Sequence, residues 1–502
     1  MTTRQTSIGI DDMALYVPTL YLELSDLATA RGIAFEKLKN GLDLERMAVP
    51  DLHEDAATMA AEATLELIQK NKLNPATIGR IYLGTESALD GAKPTATYAM
   101  GMIEQALEAN YGPRSLRRCD VVDMTFACIA ATDALQNCMD WVRANPGQKA
   151  IVIASDIAKY ELASTGEYTQ GAGAVAILVT ANPRLLAFSN IWGVGTESVH
   201  DFFKPRRSVE KQALLASVLS EVNIQNGQVE SVMNSLIEKN NMPFAAPDKA
   251  IEIFREMPVF DGQYSNTCYL NRAIEAMNHF QEQTKGYDKK PIFDRWSRLI
   301  FHLPYAAHAR RIGVDMYLSE MVRIGKIDAF LKKAKIVVPS ETDFADSKSY
   351  GKAQNAYMKS VSETVDYQQF VTQKLSSASK ASSQVGNVYT ASIFLALLSA
   401  LESELANAED VTNKKYGFVA YGSGSKAKVF EATLQANWRS VVAGFNVFQK
   451  LEQRQQISFD EYQALHTGHA NESIKANITD VFSLQSIGET GQLEGARLYT
   501  KR

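Results

Sequence analysis

Cysteine is scarce. Four thiols, Cys119, Cys128, Cys138 and Cys268, serve 502 residues, and their spacing fits neither a disulfide framework nor a CxxC-type zinc site. Positive charge is not in excess either. The 52 lysines and arginines are outnumbered by 57 aspartates and glutamates, for a formal charge of −5, so a broad electrostatic grip on nucleic acid is not expected. Any anionic ligand must be held locally. The opening Met1-Thr2-Thr3-Arg4-Gln5-Thr6 has no apolar stretch behind a basic start, and no run reaches the roughly 18 apolar residues of a membrane span. The expectation is a cytoplasmic protein without a membrane partner. Neither a GxGxxG nor a Walker loop is present, which leaves a nucleotide-triphosphatase reading without support.

What is present is an ordinary globular composition, 46% hydrophobic and 22% charged, enough for one very large domain or two fused halves. Apolar β-rich runs alternate with helical patterns, which predicts a layered α/β architecture. Expected strands are Arg80-Ile81-Tyr82-Leu83-Gly84, Lys149-Ala150-Ile151-Val152-Ile153-Ala154 and Ala174-Val175-Ala176-Ile177-Leu178-Val179; residues 54–70 and 130–143 read as helices. The second half repeats this order with little identity. A strand Arg298-Leu299-Ile300-Phe301 ends at His302, Gly386-Asn387-Val388-Tyr389-Thr390 opens an apolar helix, and Tyr416-Gly417-Phe418-Val419-Ala420 runs into Gly422-Ser423-Gly424. Their counterparts are the strand before Glu86, the loop with Cys128 opening a helix, and the strand ending near Asp156. Such a duplication brings strand ends and helix starts of both halves together, where open α/β sheets bind ligands. The expected domains are 1–185, then 186–449 with a polar insertion at 206–290, then an extension at 450–502. Residues 329–371 read as exposed helices. In the extension His466 and His469 could share a helix face, but without nearby carboxylate or cysteine partners a metal site is not expected.

Several residues have chemistry worth weighing against a bland role. Cys128 follows an apolar run and opens an alanine-rich helix; a thiol at a helix N-terminus has its thiolate favoured, although free cysteine is commonly a small buried hydrophobe. Glu86, at a strand end, is either a general acid or base in a desolvated pocket or a plain cap. His302 is fixed at a strand edge by the following Leu303-Pro304, as a working imidazole or a structural one. Asn387 is an N-cap or a donor to ligand. The pieces Gly166-Glu167-Tyr168-Thr169-Gln170-Gly171-Ala172-Gly173-Ala174 and Tyr421-Gly422-Ser423-Gly424-Ser425 allow close backbone approach and can offer N–H groups to an oxyanion.

Taken in order, Gly84-Thr85-Glu86-Ser87, Thr169-Gln170-Gly171-Ala172-Gly173-Ala174-Val175, Phe301-His302-Leu303-Pro304, Gly386-Asn387-Val388-Tyr389-Thr390 and Tyr421-Gly422-Ser423-Gly424-Ser425 resemble the 3-hydroxy-3-methylglutaryl-CoA synthase family of the thiolase superfamily. The resemblance runs from Ser7 to about Leu434. It implies a thiolase-like five-layered αβαβα fold from two duplicated halves, a homodimer, and a ping-pong acyltransferase of the mevalonate route to isoprenoids. It implies acetyl-CoA and acetoacetyl-CoA as substrates and no metal or redox cofactor. By the same resemblance Cys128 carries the acetyl group, Glu86 takes a proton from its methyl, and His302 holds and polarises the acetoacetyl group. Asn387 and Ser423 position thioester oxygens, with Gly422, Tyr389, Thr169, His200, Arg310 and Arg311 as further substrate contacts. The chain departs from the family pattern in places. His200 stands where a tyrosine is usual in His200-Asp201-Phe202-Phe203-Lys204-Pro205, and Ala307 replaces a customary lysine, with His308, Arg310 and Arg311 nearby. Tyr168 stands where bacterial members often have proline. The alternatives are a β-branching synthase of polyketide assembly that takes acetyl from a carrier protein, and a non-catalytic thiolase-fold scaffold.

Overall fold

The computed structural model describes residues 6–222, 228–287, 289–475 and 479–502. It comprises two units, Met1–Asp201 with Gly262–Arg502, and Phe202–Asp261. In the larger unit nine strands form one mixed sheet, in the spatial order Arg298–Phe301, Lys415–Gly422, Lys426–Leu434, Leu186–Thr196, Ile8–Tyr16, Gly171–Ala181, Lys149–Ala158, Ile78–Gly84 and Asp120–Met124. Parallel pairing is confined to the two flanks. Ile78–Gly84 runs parallel to both Asp120–Met124 and Lys149–Ala158, and Arg298–Phe301 runs parallel to Lys415–Gly422.

The strand Gly171–Ala181 shows why the layers form. Ten of its eleven residues are buried, as for a central strand covered on both faces. Side chains alternate across a sheet, so Val175, Ile177 and Val179 enter one apolar core while Ala172, Ala174, Ala176 and Leu178 enter the other. The second core is closed by the helix Ala56–Lys70, whose alanines lie against those small strand residues.

Helix ends differ from the sequence expectation for identifiable reasons. The first helix starts at Ala56 and not at 54, because Asp55 caps it: its carboxylate accepts from the N–H groups of Ala57 and Thr58 at 2.9 Å, and Thr58 Oγ1 accepts from Asp55 N at 2.8 Å. That reciprocal pair is a capping box, and it leaves Glu54 buried outside the helix, against the Tyr16 hydroxyl at 2.6 Å. After Asn387 the chain first makes a tight turn, Tyr389–Ala391, and only then the helix Ser392–Ala406. The segment Tyr389–Ala406 has the length and apolar content of a membrane span, against the expectation that no such run exists, yet 83% of it is buried inside the protein. It is a core helix.

The separate unit is narrower than the polar stretch 206–290. It holds the helices Lys211–Glu221 and Val229–Glu238 over a small core of Leu215, Leu219 and Met233, beside the antiparallel pair Arg207–Glu210 and Ala250–Ile253. From Gly262 the chain belongs to the larger unit, where the 21-residue helix Gly262–Glu282 buries Tyr269, Ala273, Ala276, Met277 and Phe280. Its other face is polar, so composition alone conceals a core helix. The tail adds the helix Phe459–Thr467 and the hairpin of Phe482–Ile487 with Arg497–Lys501.

Candidate active site

Cys128 lies between the strand Asp120–Met124 and the helix Ala130–Ala144, in a turn that passes through Ala127 at φ +40°. This left-handed conformation is uncommon for a residue with a side chain. It sets the half-buried thiol just ahead of the helix N-terminus. The other cysteines differ: Cys138 and Cys268 are buried, and burial pushes Cys119 and Cys138 each up to about 12.

Two glycines let both halves of the chain close on this turn. A Cβ on Gly84 would stand 2.2 Å from the backbone N of Ala131, and one on Gly422 would stand 2.6 Å from the Phe126 carbonyl oxygen and 2.8 Å from the Ile129 N. Side chains are therefore excluded where the strand ends from each half meet the cysteine loop. Lys426 and Lys428, at the start of the next strand, reach Asp133 in the first turn of the cysteine helix at 2.5 and 2.7 Å, and the Lys426 ammonium lies 3.9 Å from the Phe126 ring centroid.

The outcome is direct contact between Cys128 and Glu86: the thiol donates to Glu86 Oε1 at 2.8 Å. Glu86 follows the strand Ile78–Gly84, and its backbone is held by a residue the sequence reasoning passed over. Asp156, fully buried, accepts on Oδ1 from Glu86 N at 2.7 Å and from Thr85 Oγ1 at 2.9 Å. Its Oδ2 accepts from Thr390 N at 3.0 Å and from the Thr390 hydroxyl. Burial pushes this carboxyl up while the four donors pull it down. An aspartate inside the apolar run 149–158 was the available signal, because a buried carboxylate requires partners.

His302 ends the strand Arg298–Phe301. Its N–H donates to the Val419 carbonyl at 2.9 Å, and its carbonyl accepts from the Tyr269 hydroxyl at 2.9 Å. Tyr269 in turn stacks on Tyr421 at 4.4 Å and on His308 at 4.7 Å. Burial lowers both His302 and His308 to about 3, so both imidazoles are neutral at physiological pH. A neutral ring offers one N–H donor and one acceptor nitrogen. The Nδ1 of His302 and both ring nitrogens of His308 are buried without a hydrogen-bond partner.

The remaining expected contacts fall into three groups. Asn387 Oδ1 accepts from Tyr389 N at 2.9 Å and Ser392 Oγ at 3.1 Å, so its oxygen organises the turn into the following helix, while its backbone N donates to the Thr169 carbonyl at 2.9 Å. Tyr389 is fully buried and its ring meets Tyr160 edge-on at 6.4 Å. Burial raises the Tyr160 phenol, and the proximity of Cys128 and Glu86 adds to the effect. Gly422 and the half-buried Ser423 belong to a loop pinned by Asp201, which accepts from Gly424 N and from the Tyr421 hydroxyl at 2.7 Å each. Asp201 is a second buried carboxylate that sequence reasoning missed. The neighbouring His200 is exposed. Arg310 pairs with Asp43 at 2.9 Å and Arg311 lies over Tyr305 at 5.4 Å. His466 and His469 do not converge: the first bonds Tyr160 O and the second Thr467.

A thiol in contact with a carboxylate, and a neutral imidazole at a strand end in the second half, are groups that suit acyl transfer followed by carbon–carbon bond formation. Comparison with known proteins identifies the family. The family profiles for the N-terminal and C-terminal regions of hydroxymethylglutaryl-coenzyme A synthase match residues 4–183 and 232–491. The hydroxymethylglutaryl-CoA synthase of Haloferax volcanii is 32% identical over 470 residues, 93% of each chain. That of Enterococcus faecalis is 27% identical, covering 96% of this chain and 98% of its own. A solved structure, MvaS in complex with 3-hydroxy-3-methylglutaryl coenzyme A, superimposes with a TM-score of 0.76 at 26% identity and covers 99% of both chains. With its thiolase-like fold and both halves matched, this chain belongs to the hydroxymethylglutaryl-CoA synthase family.

Proposed function

We propose that the chain condenses acetyl-CoA with acetoacetyl-CoA and water, giving 3-hydroxy-3-methylglutaryl-CoA and free CoA. The observation that carries this reading is the 2.8 Å contact of Cys128 Sγ with Glu86 Oε1. Glu86 takes the thiol proton as sulfur attacks the acetyl carbonyl, and returns it to the departing CoA sulfur. The same carboxylate, now facing acetyl-Cys128, removes a methyl proton. The resulting carbon nucleophile adds to the ketone of acetoacetyl-CoA. His302, neutral by burial, supplies an N–H to the ketone oxygen as it gains charge. The proton held by Glu86 passes to that oxygen, completing the tertiary alcohol and restoring the carboxylate; water then adds to the thioester carbonyl, releasing the free acid, and one of its protons restores the Cys128 thiol.

In this scheme Asn387, Ser423, Gly422, Tyr389 and Thr169 form the acyl-binding wall. The exposed Arg311 and His200 are contacts for CoA, and Arg310 joins them by exchanging Asp43 for phosphate. No metal or redox cofactor enters the chemistry. A cytoplasmic homodimer belongs to the same reading, and sedimentation of the purified chain reports the dimer.

Intact-mass measurement with acetyl-CoA, before and after acetoacetyl-CoA, tests the scheme. One acetyl should appear on Cys128 and disappear on condensation. Glu86→Ala should slow both acetyl loading and condensation by about 10²–10⁴-fold, the usual worth of a general base. A chain that accepts acetyl from a carrier protein alone points to the β-branching chemistry instead, and one that gains no acetyl removes the covalent route.

A further inference from the structure

The tail beyond residue 450 has no part in the reaction as derived, yet it grips the back of the acyl-binding wall. The helix Phe459–Thr467 lies on the loop that carries Tyr160 and Gln170. The ring Nε2 of His466 donates to the Tyr160 carbonyl at 2.9 Å and lies 3.1 Å from Gln170 Oε1. That same Gln170 oxygen accepts from Tyr160 N at 2.7 Å, and Gln170 Nε2 donates to the Tyr462 hydroxyl at 2.7 Å. The Tyr462 hydroxyl itself donates to Glu167 Oε1 at 3.1 Å. Glu167 is further fixed by Arg31 at 2.7 Å. Thus both backbone polar groups of Tyr160 end on a closed ring of buried or half-buried groups, two of which, Tyr462 and His466, come from the tail.

The second wall is braced from the same segment. Arg454, nearly buried, donates to the Gln384 carbonyl at 2.8 Å and so holds the end of the helix Ser376–Val385 just ahead of Asn387. The two braced loops meet where Asn387 N donates to the Thr169 carbonyl. A side chain whose support is fully hydrogen-bonded keeps one geometry, and small displacements near reacting atoms are costly to rate.

We propose that Tyr462 and His466 are positioning residues for acetyl transfer, acting through Gln170 and Tyr160 on the pocket wall beside Cys128 and Glu86. The proposal rests on the synthase reading above. His466→Leu removes the donor to the Tyr160 carbonyl, Tyr462→Phe removes a single hydroxyl, and His466→Gln places an amide N–H where Nε2 stood. The rate of acetyl-Cys128 formation is followed by quenched-flow mass spectrometry in the full-length protein, alongside Tm and the KM for acetoacetyl-CoA. His466→Leu and Tyr462→Phe should slow acetylation about tenfold, as expected for a misplaced wall, with Tm lowered by no more than a few degrees and that KM unchanged. His466→Gln should return the rate to within about twofold of wild type, because the donor is restored. Acetylation at the wild-type rate in both His466→Leu and Tyr462→Phe overturns the proposal, and so does equal slowing in His466→Gln. A wild-type chain that takes no acetyl overturns the synthase reading together with the brace, whereas normal loading in the variants overturns the brace alone.

Discussion

Asp156→Asn is a change of one atom in a buried site, and the hydrogen bonds around it fix what should follow. The carboxylate receives four donors, two on each oxygen: Glu86 N at 2.7 Å and Thr85 Oγ1 at 2.9 Å on one, Thr390 N at 3.0 Å and the Thr390 hydroxyl on the other. An asparagine keeps one acceptor oxygen and turns an NH₂ toward the other pair. A hydroxyl can rotate away, but a backbone N–H cannot. In either amide orientation, therefore, the N–H of Glu86 or of Thr390 is left buried against another donor, at about 1–3 kcal/mol. The neutral side chain offsets part of this, because burial already disfavours the charge and raises the Asp156 pKa. The net loss of stability should be about 1–2 kcal/mol, a Tm shift of only a few degrees.

Activity should respond out of proportion. Asp156 holds the backbone of Glu86, and Glu86 touches the thiol; displacement of a reacting group by about 1 Å can cost 10²-fold. Single-turnover acetylation and condensation, read by mass spectrometry, should each fall by about 30- to 100-fold in protein that remains folded. Rates within about twofold of wild type would refute the account, since a base that keeps its place without this anchor was never held by it.

Two other perturbations read different features. Gly84→Ala drives a Cβ to 2.2 Å from the Ala131 N, a backbone atom that cannot swing aside; overpacking of about 1–3 kcal/mol should come with at least tenfold slower acetylation, and unaltered loading of Cys128 would show that the strand and helix have slack. The second concerns acid stability. His302 and His308 have folded-state values near 3 against an ordinary 6.5, so below pH 6.5 the unfolded chain takes up protons that the folded chain refuses. Their contribution is whole above pH 6.5 and is lost as pH falls toward 3, by about 2 kcal/mol per histidine at pH 5. His308→Phe should therefore lose about 2 kcal/mol less than wild type between pH 7.5 and 5 in urea titrations, with Glu54 and Glu62, both raised to about 7, acting alike in both proteins; parallel pH curves would refute it.

The parts of this site that were legible in the sequence are those fixed by local pattern. Glu86, Cys128 and His302 each follow a short apolar run, and such residues land at strand ends whatever the rest of the chain does. Asp156 and Asp201 could not be placed that way. Their partners, Thr390 and Tyr421, lie 234 and 220 positions along the chain, and no periodicity encodes a contact of that range. The helix Gly262–Glu282 was obscured for another reason: its buried face is only a stripe, so the average composition of 206–290 is polar while Tyr269, beneath His302, is in the core. The fold class was accessible through duplication, yet the joining of both halves into one nine-stranded sheet depends on the antiparallel pairs between Ile8–Tyr16, Gly171–Ala181, Leu186–Thr196 and Lys426–Leu434, which apolar runs do not specify.

The duplication also explains why one turn carries a nucleophile and its copy does not. The cysteine helix begins at Ala130 and its counterpart at Ser392; counting back three residues from each gives Ala127 and Tyr389, and both sit at φ +40°. The next residue is Cys128 in one turn and Thr390 in the other. The approach differs, since a strand leads into the first turn and the helix Ser376–Val385 into the second, but the local backbone is shared. Cys128 points its sulfur at Glu86, whereas the hydroxyl of Thr390 lies within hydrogen-bond distance of both Gly84 O, at 2.9 Å, and the Asp156 carboxylate. Both equivalents thus converge on the segment 84–86 from opposite halves, one on the carboxylate and one on the backbone beneath it. A second thiol at Thr390 would be a poor donor to these acceptors and would leave the buried Asp156 carboxylate short of a partner, so the chemistry at Cys128 is served by the copy remaining a hydroxyl.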